Sequence, residues 1–333
     1  MLSPRRTLRA LKSVAASTIR VTRRRRRGRR VSPRWSFLYA VGVDYLRVGF
    51  AYLDTLSHSD YRREMEAMVV PDPVERRVEI SQTTIAGRPV EALRPRGGTA
   101  KRTILYLHGG SYHYGSARTH RPITLRLALS AMAEVLVVDY RLAPEHPFPA
   151  GLEDAVAVYE ELVQGRAEPG SLVIAGDSAG GGLTGALILA LRERGITKPA
   201  GAAMICPWVD LAVRDGSMIR NAELDWLDYR TIDELARGYA GGGSFDDPLL
   251  SPSRGIAQGD PSALPPILVQ VGSFELLVDQ AVDFAEQARA AGVDVALRVW
   301  EDMVHDWHLF ASFDRQGMAA IEEIAAFAVR VTD

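Results

Sequence analysis

Cysteine is almost absent from this chain of 333 residues, which contains only Cys206. One cysteine excludes an internal disulfide and any zinc site built from several thiolates. Cys206 follows the apolar run at 202–205, which favours a buried structural thiol. The lack of disulfides is typical of a protein in a reducing compartment, and we therefore expect a cytoplasmic location.

Acidic residues are missing from the first 34 positions. This segment contains 13 of the 40 lysines and arginines and none of the 41 acidic residues, so the rest of the chain has a net charge of −14. Because such a segment repels itself and offers little apolar surface, we predict that residues 1–34 form a basic, disordered tail. No nucleic-acid-reading module accompanies these charges, so specific nucleic-acid binding is not expected.

Long apolar runs are missing as well. The run that starts at Trp35 is interrupted by Asp44 and Arg47, which makes it too short to span a bilayer. Two interpretations of residues 1–40 stay open: an extension without a specific partner, or a peripheral contact with anionic membranes through the arginines and a few apolar side chains. The side chains expected to enter the membrane interface are Trp35, Phe37, Leu38 and Tyr39.

The order of apolar segments predicts an α/β fold. Helical spacing over residues 35–75 indicates N-terminal cap helices, and short strands then alternate with helices in a core formed by residues 76–207 and 251–333. Continuous apolar strands separated by helices predict a mostly parallel sheet of about eight strands, flanked by helices on both faces. The segment at 208–250 is too long for a loop and predicts a helical cap over the carboxyl ends of the strands. The predicted strands are 78–84, 90–94, 103–107, 135–138, 172–175, 202–205, 267–271 and 295–299.

The motif Gly176-Asp177-Ser178-Ala179-Gly180 connects a predicted strand to a predicted helix. In that context G-x-S-x-G is the nucleophile elbow of a serine hydrolase, in which glycines permit a tight turn that exposes the serine oxygen. Ser178 is the candidate nucleophile, and we expect Asp177 to have a supporting role. The helix that begins at Ala179 directs its positive end toward a developing oxyanion.

A second motif, His108-Gly109-Gly110-Ser111, follows the predicted strand at 103–107. A glycine-rich loop at this point supplies backbone N–H groups to the oxyanion hole in lipase-like enzymes. We expect His108 to anchor the loop by hydrogen bonding rather than to act as a base.

A serine nucleophile needs a base and an orienting acid, and in this fold they follow the serine in the order acid, then histidine. Only His305 and His308 lie beyond the last predicted strand, and we favour His305 because it is nearer the strand end. Glu275 follows the strand at 267–271 and is the favoured acid. Asp279 is the alternative, although it falls in the first turn of a predicted helix, where carboxylates usually interact with the helix end.

These motifs, together with the run from Asp139 to Ala150 (DYRLAPEHPFPA), resemble the hormone-sensitive-lipase family of α/β-hydrolase esterases, bacterial family IV, which is related to arylacetamide deacetylases. The similarity covers roughly residues 75–330. It implies that backbone N–H groups of the glycine-rich loop and of the residue after the nucleophile form the oxyanion hole, namely those of Gly109, Gly110, Ser111 and Ala179. The chain departs from the family at two positions: Ser111 replaces a glycine, and Glu275 replaces the usual aspartate.

The sequence therefore predicts a serine carboxylesterase or lipase that hydrolyses short- to medium-chain acyl esters through an acyl-enzyme intermediate, with no metal and no cofactor. An amidase or deacetylase with the same triad and a non-catalytic small-molecule-binding relative are the alternatives. The expected partner is a small ester substrate. The sequence does not indicate the natural substrate or the oligomeric state.

Overall fold

The computed structural model describes residues 4–333, with side chains from residue 12 onward. One sheet of eight strands forms its centre, in the order β1-β2-β4-β3-β5-β6-β7-β8. Strands β1, β2 and β4 pair antiparallel, and the remaining neighbours pair parallel. The strands are β1 Val78–Ile85, β2 Arg88–Pro95, β3 Arg102–Leu107, β4 Ala133–Val138, β5 Leu172–Asp177, β6 Gly201–Ile205, β7 Ile267–Gly272 and β8 Val295–Trp300.

Helices cover both faces of this sheet, because the central strands are apolar on both sides. One buried cluster contains side chains of α5, α6 and α9, and the other contains side chains of α2, α4 and α10. The helices are α1 Pro4–Arg26, α2 Phe37–Leu53, α3 His58–Met68, α4 Arg121–Ala131, α5 Ala150–Gly165, α6 Ala179–Glu193, α7 Ser217–Arg220, α8 Tyr229–Ala240, α9 Val278–Ala290 and α10 Arg315–Thr332.

The predicted fold class is confirmed: every predicted strand is present, and each of its ends lies within two residues of the predicted end. The segment predicted as a cap insertion, residues 208–250, contains α7 and α8, and residues 35–75 contain α2 and α3. Because the parallel strands all point the same way, their carboxyl ends and the loops that follow meet at one edge of the sheet. No helix in the described part of the chain combines the length and the apolar character that crossing a bilayer requires.

The prediction of a disordered tail is wrong for the described part of residues 1–34, since α1 occupies most of it; residues 1–3 lie outside the described residues. Val21 of α1 is buried, and Arg20 and Arg24 reach Asp44 of α2 at 2.7 and 3.6 Å. The side chain of Asp44 is only 6% exposed. A buried carboxylate thus compensates part of the positive charge that led us to predict disorder.

The predicted membrane-entering side chains divide into two pairs. Trp35 and Tyr39 are buried, because the Trp35 indole donates to the Asp302 carbonyl at 2.6 Å and Tyr39 packs edge-to-face on Trp35. Their predicted insertion into a membrane is therefore wrong. Phe37 and Leu38 point outward and are exposed.

Candidate active site

Ser178 lies between the end of β5 and the start of α6, with φ 55° and ψ −120°. A side chain on Gly176 would collide with the Gly180 carbonyl, and one on Gly180 would collide with the Leu107 carbonyl. The two glycines are therefore required by the close approach of β3, β5 and α6. This is the strained strand-to-helix turn expected for a nucleophile elbow.

The loop after β3 lies beside Ser178. Gly110 and Ser111 have φ values of 116° and 55°, and both line the same cavity as Ser178. Within the described part of the chain, the backbone N–H groups of Gly110, Ser111 and Ala179 donate to no other group. Gly109 is not among the residues that line this cavity; a side chain there would collide with the Asp177 carboxylate. The loop thus offers unpaired backbone donors close to the serine, as an oxyanion hole requires.

His108 supports this loop from behind. Its Nδ1 lies 2.8 Å from the Gly109 carbonyl oxygen, its own carbonyl accepts the Tyr140 hydroxyl at 2.6 Å, and its ring stacks on Tyr140 at 4.4 Å. Burial lowers the pKa of His108 to about 3, so its imidazole is neutral. Tyr140 belongs to the run at 139–150, so the contact between Tyr140 and His108 connects that run to the glycine-rich loop.

Asp177, which precedes Ser178, is fully buried. Its carboxylate accepts the Tyr106 hydroxyl at 2.6 Å, and His120 Nε2 lies 3.1 Å from its second oxygen. Burial alone would raise the pKa of Asp177, but the neighbouring His120 outweighs it and the pKa falls to about 2. Sequence reasoning did not single out His120, because it is one of the seven histidines of the chain and lies in a polar segment.

The structure brings Glu275 and His305 together. Glu275 follows β7 and His305 follows β8; both are buried, and His305 Nδ1 lies 2.7 Å from Glu275 Oε2. The other carboxylate oxygen of Glu275 accepts the Gly272 N–H at 3.0 Å. His305 lines the same cavity as Ser178.

The two alternative residues lie elsewhere. His308 Nε2 is 2.9 Å from the Gln270 side-chain oxygen, and burial lowers the pKa of His308 to about 3. Asp279 is in the first turn of α9, where it accepts the Ser217 N–H at 2.8 Å and forms an ion pair with Arg220. Neither side chain lines the cavity that contains Ser178.

Asp306 is a member of the site that sequence reasoning missed. The backbone of Asp306 has a φ of 48°. Its Oδ2 lies 3.2 Å from His305 Nε2, but the pair lacks hydrogen-bond geometry. His305 Nε2 therefore has no hydrogen-bond partner among the described residues. Burial raises the pKa of Asp306 to about 6, against the opposing effect of His305. Burial also lowers the pKa of His305, but the carboxylates of Asp306 and Glu275 outweigh it, and the pKa lies well above its usual value.

Asp225, in the cap segment, is a second missed residue. One of its oxygens accepts the backbone N–H groups of Trp226 at 2.8 Å and His305 at 3.1 Å, and the other accepts that of Leu276 at 2.9 Å. Burial raises the pKa of Asp225 to about 6. The side chain therefore links the loop of the acid to the loop of the base, and the sequence carried no signal for it beyond an aspartate next to a tryptophan.

Residues of the predicted cap segment line one side of the cavity that contains Ser178 and His305. The Trp226 indole donates to the His305 carbonyl at 2.6 Å, and the other lining residues of this segment are Leu227, Asp228, Thr231 and Leu235. The cavity has a volume of about 70 Å³, room for about two waters. A cavity of this volume favours a short substituent over a long one.

One group of residues near the site has ligand atoms within 4.8 Å of one another: Cys206, His305 and Asp306. Burial raises the pKa of the Cys206 thiol well above its usual value, which opposes the thiolate that a metal would need. An ion there would also bind His305, which lines the cavity of Ser178. We therefore assign no metal to this group.

Known proteins resemble the chain along most of its length. The family described as sharing the alpha/beta hydrolase fold matches residues 104–309. An acetyl-hydrolase of Streptomyces hygroscopicus is 44% identical over 227 residues, which cover 68% of this chain and 75% of the relative. An esterase of Acinetobacter venetianus is 33% identical over 255 residues, covering 75% of this chain and 82% of the relative.

Solved structures agree with these relatives. The crystal structure of a hormone-sensitive lipase from a metagenome library superposes with a TM-score of 0.81 at 37% identity, covering 87% of this chain and 98% of that one. An esterase from the bacterial hormone-sensitive-lipase family superposes with a TM-score of 0.80, also at 37% identity, and covers 87% of this chain and 98% of that one. The resemblance predicted from the sequence motifs is confirmed. The chain therefore belongs to the hormone-sensitive-lipase family of α/β-hydrolases and is an esterase.

Proposed function

We propose that the protein is a serine carboxylesterase that hydrolyses short- to medium-chain acyl esters. In this proposal Ser178 is the nucleophile, His305 is the general base, and Glu275 is the acid that orients the base. The observation that carries this proposal is the 2.7 Å contact between His305 Nδ1 and Glu275 Oε2 beside the cavity lined by Ser178 and His305. A carboxylate on Nδ1 fixes the tautomer in which Nε2 accepts a proton.

In this mechanism His305 Nε2 takes the proton of Ser178 as the serine oxygen attacks the ester carbonyl. Backbone N–H groups of Gly110, Ser111 and Ala179 stabilise the tetrahedral oxyanion, each contributing about 2.7–4 kcal/mol to the lowering of the barrier. The protonated imidazole then gives its proton to the leaving alcohol. Water enters, loses its proton to the same nitrogen and releases the acid from the acyl-enzyme. The glycine-to-serine change at 111 keeps the backbone donor, and the longer Glu275 side chain keeps the contact with the base.

The test is hydrolysis of p-nitrophenyl esters from C2 to C16 by the full chain and by Ser178→Ala. We expect turnover of C2–C8 esters that the substitution lowers by at least 10³-fold. Equal rates in both proteins would refute the assignment of Ser178. Turnover of p-nitroacetanilide without ester turnover would favour the amidase alternative.

We further propose a peripheral contact with anionic membranes through residues 1–40. At the end of α1, Arg23, Arg24 and Arg26 are exposed, as are Phe37 and Leu38 at the start of α2. Arg25 lies over the Phe37 ring at 5.3 Å, so basic and apolar groups occupy the same surface. Each basic residue near such a membrane contributes about 1 kcal/mol to binding.

A further inference from the structure

A large apolar cavity of the described chain lies next to the candidate active site and has no role in the proposed mechanism. It is an open groove of about 610 Å³ between α2, the segment after α3 and the loop after β8. That volume is within the range of small-molecule sites in proteins. Its lining includes four exposed apolar side chains, and patches of this kind mark binding surfaces. They are Val14, Leu38, Val70 and Phe313.

The groove is almost uncharged. Asp72 is the only charged side chain among its described lining residues, and it forms an ion pair with Arg126 at 2.8 Å and accepts the Ser312 hydroxyl at 2.8 Å. A ligand that matches this lining is therefore hydrocarbon rather than a polar or anionic molecule.

Three side chains line both the groove and the cavity of Ser178: Phe50, Met65 and Leu309. All three are half-buried, so they form the wall between the two spaces rather than part of the packed core. Methionine is flexible and leucine has alternative rotamers, so rearrangement of this wall would join the two spaces. This shared wall with the cavity of Ser178 distinguishes the groove from an isolated apolar patch.

We propose that this groove binds the long hydrocarbon chain of a lipid ester whose carbonyl is attacked by Ser178. The inference rests on the proposed esterase function and extends its substrates from short esters to esters with a chain of about C12–C16. The cavity of Ser178, at about 70 Å³, is too small for a long hydrocarbon chain, so such a chain must extend beyond it. The wall of Phe50, Met65 and Leu309 is the exit that opens onto an apolar surface. The chain can belong to the acyl group or to the alcohol, and the hydrocarbon is common to both.

The test is a charge placed in the groove, with a matched control. Leu38→Glu changes a groove residue that is 56% exposed, and Ile219→Glu changes an equally exposed residue of α7 outside the groove. Two substrate series identify the source of the chain: p-nitrophenyl esters vary the acyl group, and alkyl acetates vary the alcohol. In each series the readout is kcat/KM for the C14 member divided by that for the C4 member, below the critical micelle concentration and without vesicles.

We expect Leu38→Glu to lower this ratio at least tenfold in one of the two series, which corresponds to about 1.4 kcal/mol. Ile219→Glu should keep the ratio of the unaltered protein. A ratio unchanged by Leu38→Glu in both series would overturn the proposal, even if the protein hydrolyses C14 esters. A protein that hydrolyses C4 esters but no C14 ester of either series would also overturn it, while leaving the esterase function intact.

A binding measurement separates failure of the groove from failure of the esterase. Ser178→Ala protein is titrated with a fluorescent C16 fatty acid, and Leu38→Glu in the same background should weaken binding at least tenfold. If no ester is hydrolysed but this difference is present, the esterase proposal fails and the groove assignment stands. Equal binding by both proteins would contradict the groove assignment. So would a dimer that Leu38→Glu dissociates without any change in binding, because a second copy of the chain would then cover the groove.

Discussion

Asp306→Asn should move the pH dependence of the esterase toward acid. Asp306 Oδ2 lies 3.2 Å from His305 Nε2, on the side of the ring opposite Glu275. Only the neutral imidazole can accept the proton of Ser178, and the pKa of His305 lies well above its usual 6.5. Below that pKa the base is protonated and inactive, so kcat/KM of the unaltered protein should rise with pH into the alkaline range rather than through pH 6–7, where an unperturbed histidine titrates.

The size of the change follows from the contact distance. A carboxylate this close to an imidazole typically raises its pKa by about 1–3, which is about 1.4–4 kcal/mol of preference for the charged ring. Asparagine removes the charge, keeps the shape and also tolerates the positive φ of 48° at this position. Glu275 remains on the other ring nitrogen, so the pKa should fall only in part. On the acid limb we expect kcat/KM to increase by about tenfold or more.

The assay is kcat/KM for a soluble C4 ester between pH 5 and pH 10 with the unaltered protein, Asp306→Asn and Asp302→Asn. Asp302 also has a positive φ and follows β8, but it accepts the Ser32 hydroxyl instead of facing His305. Its substitution should leave the acid limb in place. If Asp306→Asn has the same acid limb as the unaltered protein, the buried Asp306 carboxylate does not control the base and the electrostatic reasoning is wrong.

Three further predictions concern the acid, the cap and the membrane. Glu275→Gln should lower kcat about 10³–10⁴-fold, because it removes the charge that orients and stabilises the His305 imidazolium; Glu275→Asp should recover part of this rate. Asp225→Asn should lower the free energy of unfolding by about 1–3 kcal/mol in denaturant titrations. The reason is that the asparagine NH2 group must face a backbone N–H that the Asp225 carboxylate accepts in the unaltered protein. An unchanged kcat in this variant would contradict a positioning role for Asp225. Removing four exposed positive charges should weaken binding to anionic vesicles at least tenfold in a sedimentation assay, and should leave binding to neutral vesicles unaltered. If the altered and unaltered proteins bind anionic vesicles equally, the membrane contact is refuted. The four substitutions are Arg26→Gln, Arg27→Gln, Arg29→Gln and Arg30→Gln.

Local sequence was sufficient where one chain segment determines the structure by itself. The strands could be predicted because each is a short apolar run between helical segments, and the elbow at Ser178 because strand, turn and helix are consecutive. The proximity of Glu275 and His305 follows from the same logic. Both residues come after neighbouring parallel strands, β7 and β8, whose carboxyl ends lie at one edge of the sheet.

Contacts between distant segments could not be predicted in this way. Asp306 follows the base in the sequence, but its closeness to Nε2 depends on the positive φ of the residue, which no local pattern indicates. His120 meets Asp177 only because the loop after β3 returns over the end of β5. The helix α1 was missed for a related reason: its charge was counted without Asp44, the carboxylate on α2 that compensates it.

Asp44 and Arg47 illustrate how these distant contacts connect the N-terminal helices to the site. In the sequence their charges only excluded a membrane span, whereas in the structure the two side chains contact two different segments of the chain. Asp44 pairs with α1, and the Arg47 guanidinium donates to the carbonyl oxygens of residues 223–225 at 2.7–3.1 Å. The last of these residues, Asp225, accepts the backbone N–H groups of Leu276 and His305. Because α2 also lines the groove and supplies Phe50 to its wall, the helix that would bind a lipid chain is bonded to the segment that contacts the loops of the proposed acid and base.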